Sequence, residues 1–169
     1  MEYFKNYLKI AINIVMTVII IIGALFLLLH FIGINPVVVE SGSMMQDIEA
    51  GSLIFVNKNV KFEDIKPNDI ITFSVGESKI RVTHRAIKVT EEGIETKGDA
   101  NNVSDGVSTT KENYEGKMVF YIPKIGYLVK LIQAPKGKII LATSIIVMLL
   151  ASLFLGKSSK ELKEVRNEE

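Results

Sequence analysis

Two long apolar runs frame a middle region in which apolar and polar residues alternate over short stretches. The first run, Ile10 to Ile32, is broken only by Asn13, Thr17 and His30 among otherwise apolar or small residues. As a helix rising about 1.5 Å per residue, it is long enough to cross a hydrocarbon layer of about 30 Å. It exceeds the roughly 7–15 apolar residues of a cleavable secretory signal. It also ends Leu29-His30-Phe31-Ile32-Gly33-Ile34-Asn35-Pro36, without a small-residue cleavage pattern. An uncleaved signal anchor over 10–34 is therefore expected, with His30 at the outer interface.

The second run, Ile139 to Leu155, is near the lower limit of about 17 residues for a span. Apolar residues occupy all of its sides, which leaves no polar face for water and predicts a second span over 138–156. Lys5 and Lys9 precede the first span, and Lys157, Lys160, Lys163 and Arg166 follow the second. Basic residues in short flanks stay on the cytoplasmic side, so segments 1–9 and 157–169 are expected there. Residues 35–137 then face outside a multi-pass protein of the cell (plasma) membrane.

Within that outer region, β-type runs are punctuated by turn residues. Val37-Val38-Val39 comes first; Ser52 to Asn57 follows Gly51; Asp69 to Val75 follows Lys66-Pro67-Asn68. Gly76-Glu77-Ser78 turns into Lys79 to Thr90, where Ile80, Val82, His84 and Ala86 share one face and Arg81, Thr83 and Arg85 the other. Ile94 to Lys97 and Gly116 to Ile122 complete the set, separated by a polar loop from Gly98 to Glu115. Short strands without a strong amphipathic helix predict a mainly β protein, a compact antiparallel β domain flanked by N- and C-terminal transmembrane helices. Pro123 to Gln133, apolar with Lys124 and Lys130 spaced through it, reads as a return to the membrane surface.

Composition narrows the chemistry. The net charge of +1 gives no field for nucleic acid, which is not an expected partner. The chain has no Cys, which excludes disulfides, a thiol nucleophile and Cys-ligated metals, and its two His cannot build a His-rich metal site. Asp99 and Asn101 have the opening spacing of a calcium loop. However, Val103, Ser104 and Thr110 occupy its fifth, sixth and twelfth positions, so no metal or other cofactor is expected.

What remains is a set of groups suited to acyl transfer. Glu40-Ser41-Gly42-Ser43-Met44-Met45 places two hydroxyls around a glycine where a β-type run turns, an arrangement that can present a nucleophile beside backbone N–H donors. His84 is the only His of the outer region and the natural base for such a serine. A lysine would serve only if burial depressed its pKa, and none of the outer lysines stands alone in an apolar run. Thr96-Lys97-Gly98-Asp99-Ala100-Asn101-Asn102-Val103-Ser104-Asp105 brings two carboxylates, either of which could orient an imidazole. Two other readings stay open: a membrane-anchored β binding module without catalysis, and a protease with a Ser–Lys dyad.

Taken in order, an apolar anchor, Ser41-Gly42-Ser43-Met44, Thr83-His84-Arg85 and Lys97-Gly98-Asp99-Ala100-Asn101-Asn102 with Asp105 resemble signal peptidase I. The similarity is to its Ser–His branch, the endoplasmic-reticulum and archaeal type that includes SipW-like enzymes. It extends through Gly116-Lys-Met-Val-Phe-Tyr-Ile-Pro123 and Gly126-Tyr127. The resemblance implies Ser43 as nucleophile, His84 as general base, Asp105 as the acid orienting it and Asp99 as a second important carboxylate. It further implies an oxyanion site from the Ser43 N–H and the Ser41 hydroxyl, with Val37, Val38 and Val39 pairing with substrate. Substrates would be preprotein signal peptides cut after small residues; the lipid bilayer and the secretion translocon would be partners. The family pattern Ser-Gly-Ser-Met-x-Pro is broken at Gln46, which removes a proline that would stiffen the turn after Ser43.

Overall fold

The computed structural model describes residues 2–168, without the side chains of residues 2, 108 and 156–168. The chain falls into two compact units. One comprises Met1–Leu28 with Ile132–Glu169, and the other comprises Leu29–Leu131.

In the first unit, the apolar runs form helix α1 (Glu2–Phe31), which continues just past the unit boundary, and helix α3 (Pro135–Glu168). Their stretches Tyr3–Phe31 and Pro135–Leu155 are long and apolar enough to cross a membrane, and neither is buried in protein. The second stretch has 21 residues, about 32 Å as a helix, and is longer than the apolar run alone suggests because Pro135 is accepted at a helix start. Ser152 Oγ donates to Asn13 Oδ1 at 2.9 Å, which joins the two helices through a polar pair within otherwise apolar sequence. The side chains of the tail expected to be cytoplasmic, 157–169, lie outside those described.

The second unit is a seven-stranded antiparallel sheet with strand order β1-β2-β7-β3-β4-β5-β6. The strands are β1 (Ile34–Val38), β2 (Leu53–Asn57), β3 (Ile70–Val75), β4 (Ile80–Val89), β5 (Ile94–Lys97), β6 (Val107–Thr109) and β7 (Tyr114–Ile122). The apolar anchor run continues to Ile34, but the helix stops at Phe31. Gly33, at φ +77°, donates its N–H back to His30 O and turns the chain into β1.

Adjacent residues of β3 point to opposite faces, and each face has its own core. Ile70 joins Val39, Met44, Ile48, Ile54 and Val56, whereas Ile71 and Phe73 join Ile65, Ala86 and Ile94. Register shifts between Phe55 and Val56, Thr72 and Phe73, Ala86 and Lys88, and Ile94 and Glu95 bend the sheet between these cores.

Two elements depart from the sequence reading. β6 was hidden in the polar loop because three residues carry too little pattern. Pro123 to Gln133 contains helix α2 (Ile125–Gln133), although no strong amphipathic helix is expected there. Ile125, Leu128, Val129 and Ile132 share one side at i, i+3, i+4 and i+7, but nine residues are only about two and a half turns, too short a run to stand out in the sequence. Gly126 is buried, while Ile125, Leu128 and Leu131 are exposed. The helix packs where glycine allows it. Gly51 has φ +82°, and the Tyr127 ring fills the space of its missing Cβ.

Candidate functional site

Ser43 follows β1 in a turn anchored from below. Met44 and Ile48 are fully buried. The turn is closed by Met45 N–H to Gly42 O (3.0 Å), Asp47 N–H to Met44 O (3.0 Å) and Ile48 N–H to Met44 O (2.7 Å). Burying the Met44 side chain holds the neighbouring Ser43 on the opposite, accessible side of the turn. Gln46 stands exposed within it.

His84 sits mid-strand in β4 opposite Ile71, only 7% exposed, with its ring edge-on to Phe73 at 6.4 Å. Its Nε2 lies 2.9 Å from Ser43 Oγ and its Nδ1 lies 2.6 Å from Asp105 Oδ2. A carboxylate can only accept, so with Asp105 ionised the proton sits on Nδ1 and Nε2 turns its lone pair to the Ser43 hydroxyl. Ser41 Oγ is 3.1 Å from Ser43 Oγ. Since the Ser43 proton is directed at His84, Ser41 is the donor in that pair. Among the described residues these two are the polar partners of Ser43 Oγ, and no lysine is among them.

Asp105 is held on β5 by its N–H to Thr96 O (2.8 Å), and Thr96 Oγ1 donates to Asp105 Oδ2 at 2.7 Å. Asp99 lies elsewhere: it takes the Arg85 guanidinium through Nε (2.8 Å) and Nη2 (2.7 Å), a two-point fork. Hydrogen bonding from Asp99, with its charge, pushes the Arg85 pKa further above its ordinary value, so this cation is permanent. The sequence pattern assigns no role to Thr96 or Arg85. A charged residue beside the lone His in mid-strand was the available signal for Arg85.

The loop carrying both carboxylates is fastened to the nucleophile turn by Ala100 N–H to Ser43 O at 2.8 Å. Gly98 makes this approach possible. A Cβ on it would come within 2.7 Å of Ser43 O, 2.8 Å of Asn101 Nδ2 and 3.0 Å of His84 Nε2.

Val37, Val38 and Val39 do not present equivalent groups. Val39 N–H donates to Ser52 O and Val39 O accepts from Gly51 N–H, so its backbone faces β2. By antiparallel alternation Val37 also faces β2, while Val38 and Pro36 turn their backbone to the open edge of the sheet. Val39 is buried, and Val37 packs on the same core.

Together these groups offer a hydroxyl, a base with the required tautomer and an orienting carboxylate, all beside an open sheet edge. The sequence profile described as signal peptidase, peptidase S26, matches residues 11–125, which contain every one of them. Signal peptidase I W of Bacillus subtilis is 33% identical over 90 residues, covering 50% of this chain and 47% of that protein. The signal peptidase complex catalytic subunit sec11 of Sclerotinia sclerotiorum is 34% identical over 110 residues, 57% of this chain and 63% of its own. The corresponding subunit of Komagataella phaffii is 34% identical over 118 residues, 59% and 67% respectively. The chain thus spans about half to two thirds of the length of these curated relatives. With two thirds of its residues matched by the profile, the chain belongs to the signal peptidase, peptidase S26, family.

Proposed function

We propose that this chain is a membrane-bound serine endopeptidase that removes N-terminal signal peptides from preproteins, cutting after small residues. The observation that carries the reading is the relay Ser43 Oγ–His84 Nε2 (2.9 Å) and His84 Nδ1–Asp105 Oδ2 (2.6 Å).

Ser43 Oγ attacks the scissile carbonyl as its proton passes to His84 Nε2. Asp105 keeps Nδ1 protonated and stabilises the imidazolium that forms. The developing oxyanion takes hydrogen bonds from the Ser43 N–H and from the Ser41 hydroxyl, which lies beside the reacting oxygen. His84 then gives the proton to the leaving amine. Water, deprotonated by the same nitrogen, hydrolyses the acyl-enzyme and restores Ser43. No cofactor enters.

The extended signal peptide adds to the free edge of β1, bonded through the Val38 backbone, with Val37 and Val39 shaping the support beneath it. Pro36, which has no N–H to donate, suits an edge position and limits pairing to the stretch next to Ser43. Segments 10–34 and 138–156 span the cell membrane with both ends in the cytoplasm, which places 35–137 outside beside the emerging substrate. The secretion translocon delivers that substrate.

The test is the full chain in liposomes with a preprotein carrying an Ala-x-Ala site. Cleavage after the second Ala, blocked by a bulky residue there, is expected. An intact preprotein, or cleavage indifferent to that residue, would sink the reading. Gly98→Ala should lower kcat about 10²-fold, because its methyl displaces either Ser43 or His84 from a contact that tolerates little error. Cleavage kinetics of the variant on the same preprotein provide the check.

A further inference from the structure

The turn that carries Ser43 is fixed in the core at Met44 and Ile48, yet its outer limb, Met45 to Asp47, is exposed and lacks a proline's restraint on φ. One side chain of that limb reaches back into the site. The Asp47 carboxylate pairs with Arg85 Nη2, on the guanidinium that already holds Asp99 and that donates Nη1 to Asn68 O at 3.0 Å. Arg85 directly follows His84 on β4, and Asp99 directly follows Gly98, the residue seated against Ser43 O and His84 Nε2. A single rigid cation therefore ties together the three segments that carry nucleophile, base and acid. The Asp47 backbone is held as well, by Tyr121 O–H donating to Asp47 O at 2.9 Å.

We propose that Asp47 is a positioning residue: its ion pair with Arg85 locks the outer limb of the turn and keeps Ser43 Oγ in line with His84 Nε2. This rests on Ser43 being the nucleophile. The Asp99 half of the arrangement is nearly enclosed, at 11% exposure, and stays formed under most conditions. The Asp47 half is 58% exposed and is the part that salt can loosen. Restraint of the turn would then be supplied by charge at residue 47 in place of a ring at residue 46.

Cleavage kinetics of the full chain on the Ala-x-Ala preprotein, at low and high salt, test this. Asp47→Asn should lower kcat about two- to fivefold at low salt with KM unchanged, while Asp47→Glu keeps most of the rate. High salt should bring wild-type kcat towards that of Asp47→Asn and leave the variant unmoved. Adding Gln46→Pro to Asp47→Asn should restore the rate by limiting the same limb covalently. An Asp47→Asn protein as fast as wild type overturns the inference while leaving the peptidase reading intact. So does a loss confined to KM, which would make Asp47 a substrate contact, or a double variant as slow as Asp47→Asn. A wild type that cuts no preprotein removes both.

Discussion

Ser43→Ala should abolish signal-peptide cleavage, with kcat falling about 10⁴-fold or more, and His84→Ala should do the same. Ser43 Oγ has no substitute in place, because it is the hydroxyl seated 2.9 Å from His84 Nε2, whereas the Ser41 hydroxyl bonds to that Oγ and not to the imidazole. Without His84, nothing among the described residues can take the proton from Ser43, and a neutral serine hydroxyl is a poor nucleophile. The loss in Ser43→Ala cannot be charged to misfolding. The substitution removes one hydroxyl from the accessible side of the turn and keeps the Ala100 N–H to Ser43 O bond that fastens the loop. Thermal unfolding of Ser43→Ala should therefore match wild type while cleavage of the preprotein disappears. Undiminished processing by Ser43→Ala would mean a binding module beside some other protease. Undiminished processing by His84→Ala would move the general base to a lysine.

Most of the sheet was legible because β strands announce themselves by alternation and by the turn residues between them. Lys79 to Thr90 was readable as a two-faced strand, and β4 buries His84 and Ala86 as that alternation requires. The extent of the helices was less legible. Hydropathy marks what can cross a bilayer, whereas helix ends depend on backbone devices such as Gly33 and Pro135. α2 is hard to read for a different reason: its apolar face, Ile125, Leu128, Val129 and Ile132, keeps the helical period for only nine residues.

The site divides in the same way. Ser43, His84 and the carboxylate loop could be found by residue type and order, since the chain has so few alternatives. The pairing of carboxylates could not, because Asp99 and Asp105 lie six residues apart in one loop and either could reach an imidazole. It takes the path of that loop, pinned at Thr96 and Ala100, to put Asp105 on His84 and Asp99 on Arg85. Asp47 was invisible for a related reason: a single carboxylate in an exposed turn acquires meaning only from the cation it meets.

That separation of the two carboxylates gives opposite signatures on neutralisation. Asp105→Asn should cost about 10³-fold in kcat with little change in stability. Oδ2 of Asp105 accepts from both His84 Nδ1 and Thr96 Oγ1. If the asparagine turns its oxygen to them, the hydrogen bonds survive but the charge opposite the imidazolium is gone. If it turns its NH₂, His84 must accept at Nδ1, its proton moves to Nε2, and the nitrogen facing Ser43 can no longer act as a base. Either orientation slows the chemistry, and neither leaves a charge buried without a partner. Asp99→Asn works the other way. It strips the main counter-charge from a guanidinium that is only 22% exposed and leaves Arg85 with the more exposed Asp47. A loss of about 1–3 kcal/mol in stability follows, several degrees in Tm for a domain of this size, with a much smaller fall in kcat through the loosened loop. Measuring kcat and Tm on both variants separates the roles. If Asp99→Asn lost more kcat than Asp105→Asn at unchanged Tm, Asp99 would be the acid that orients His84.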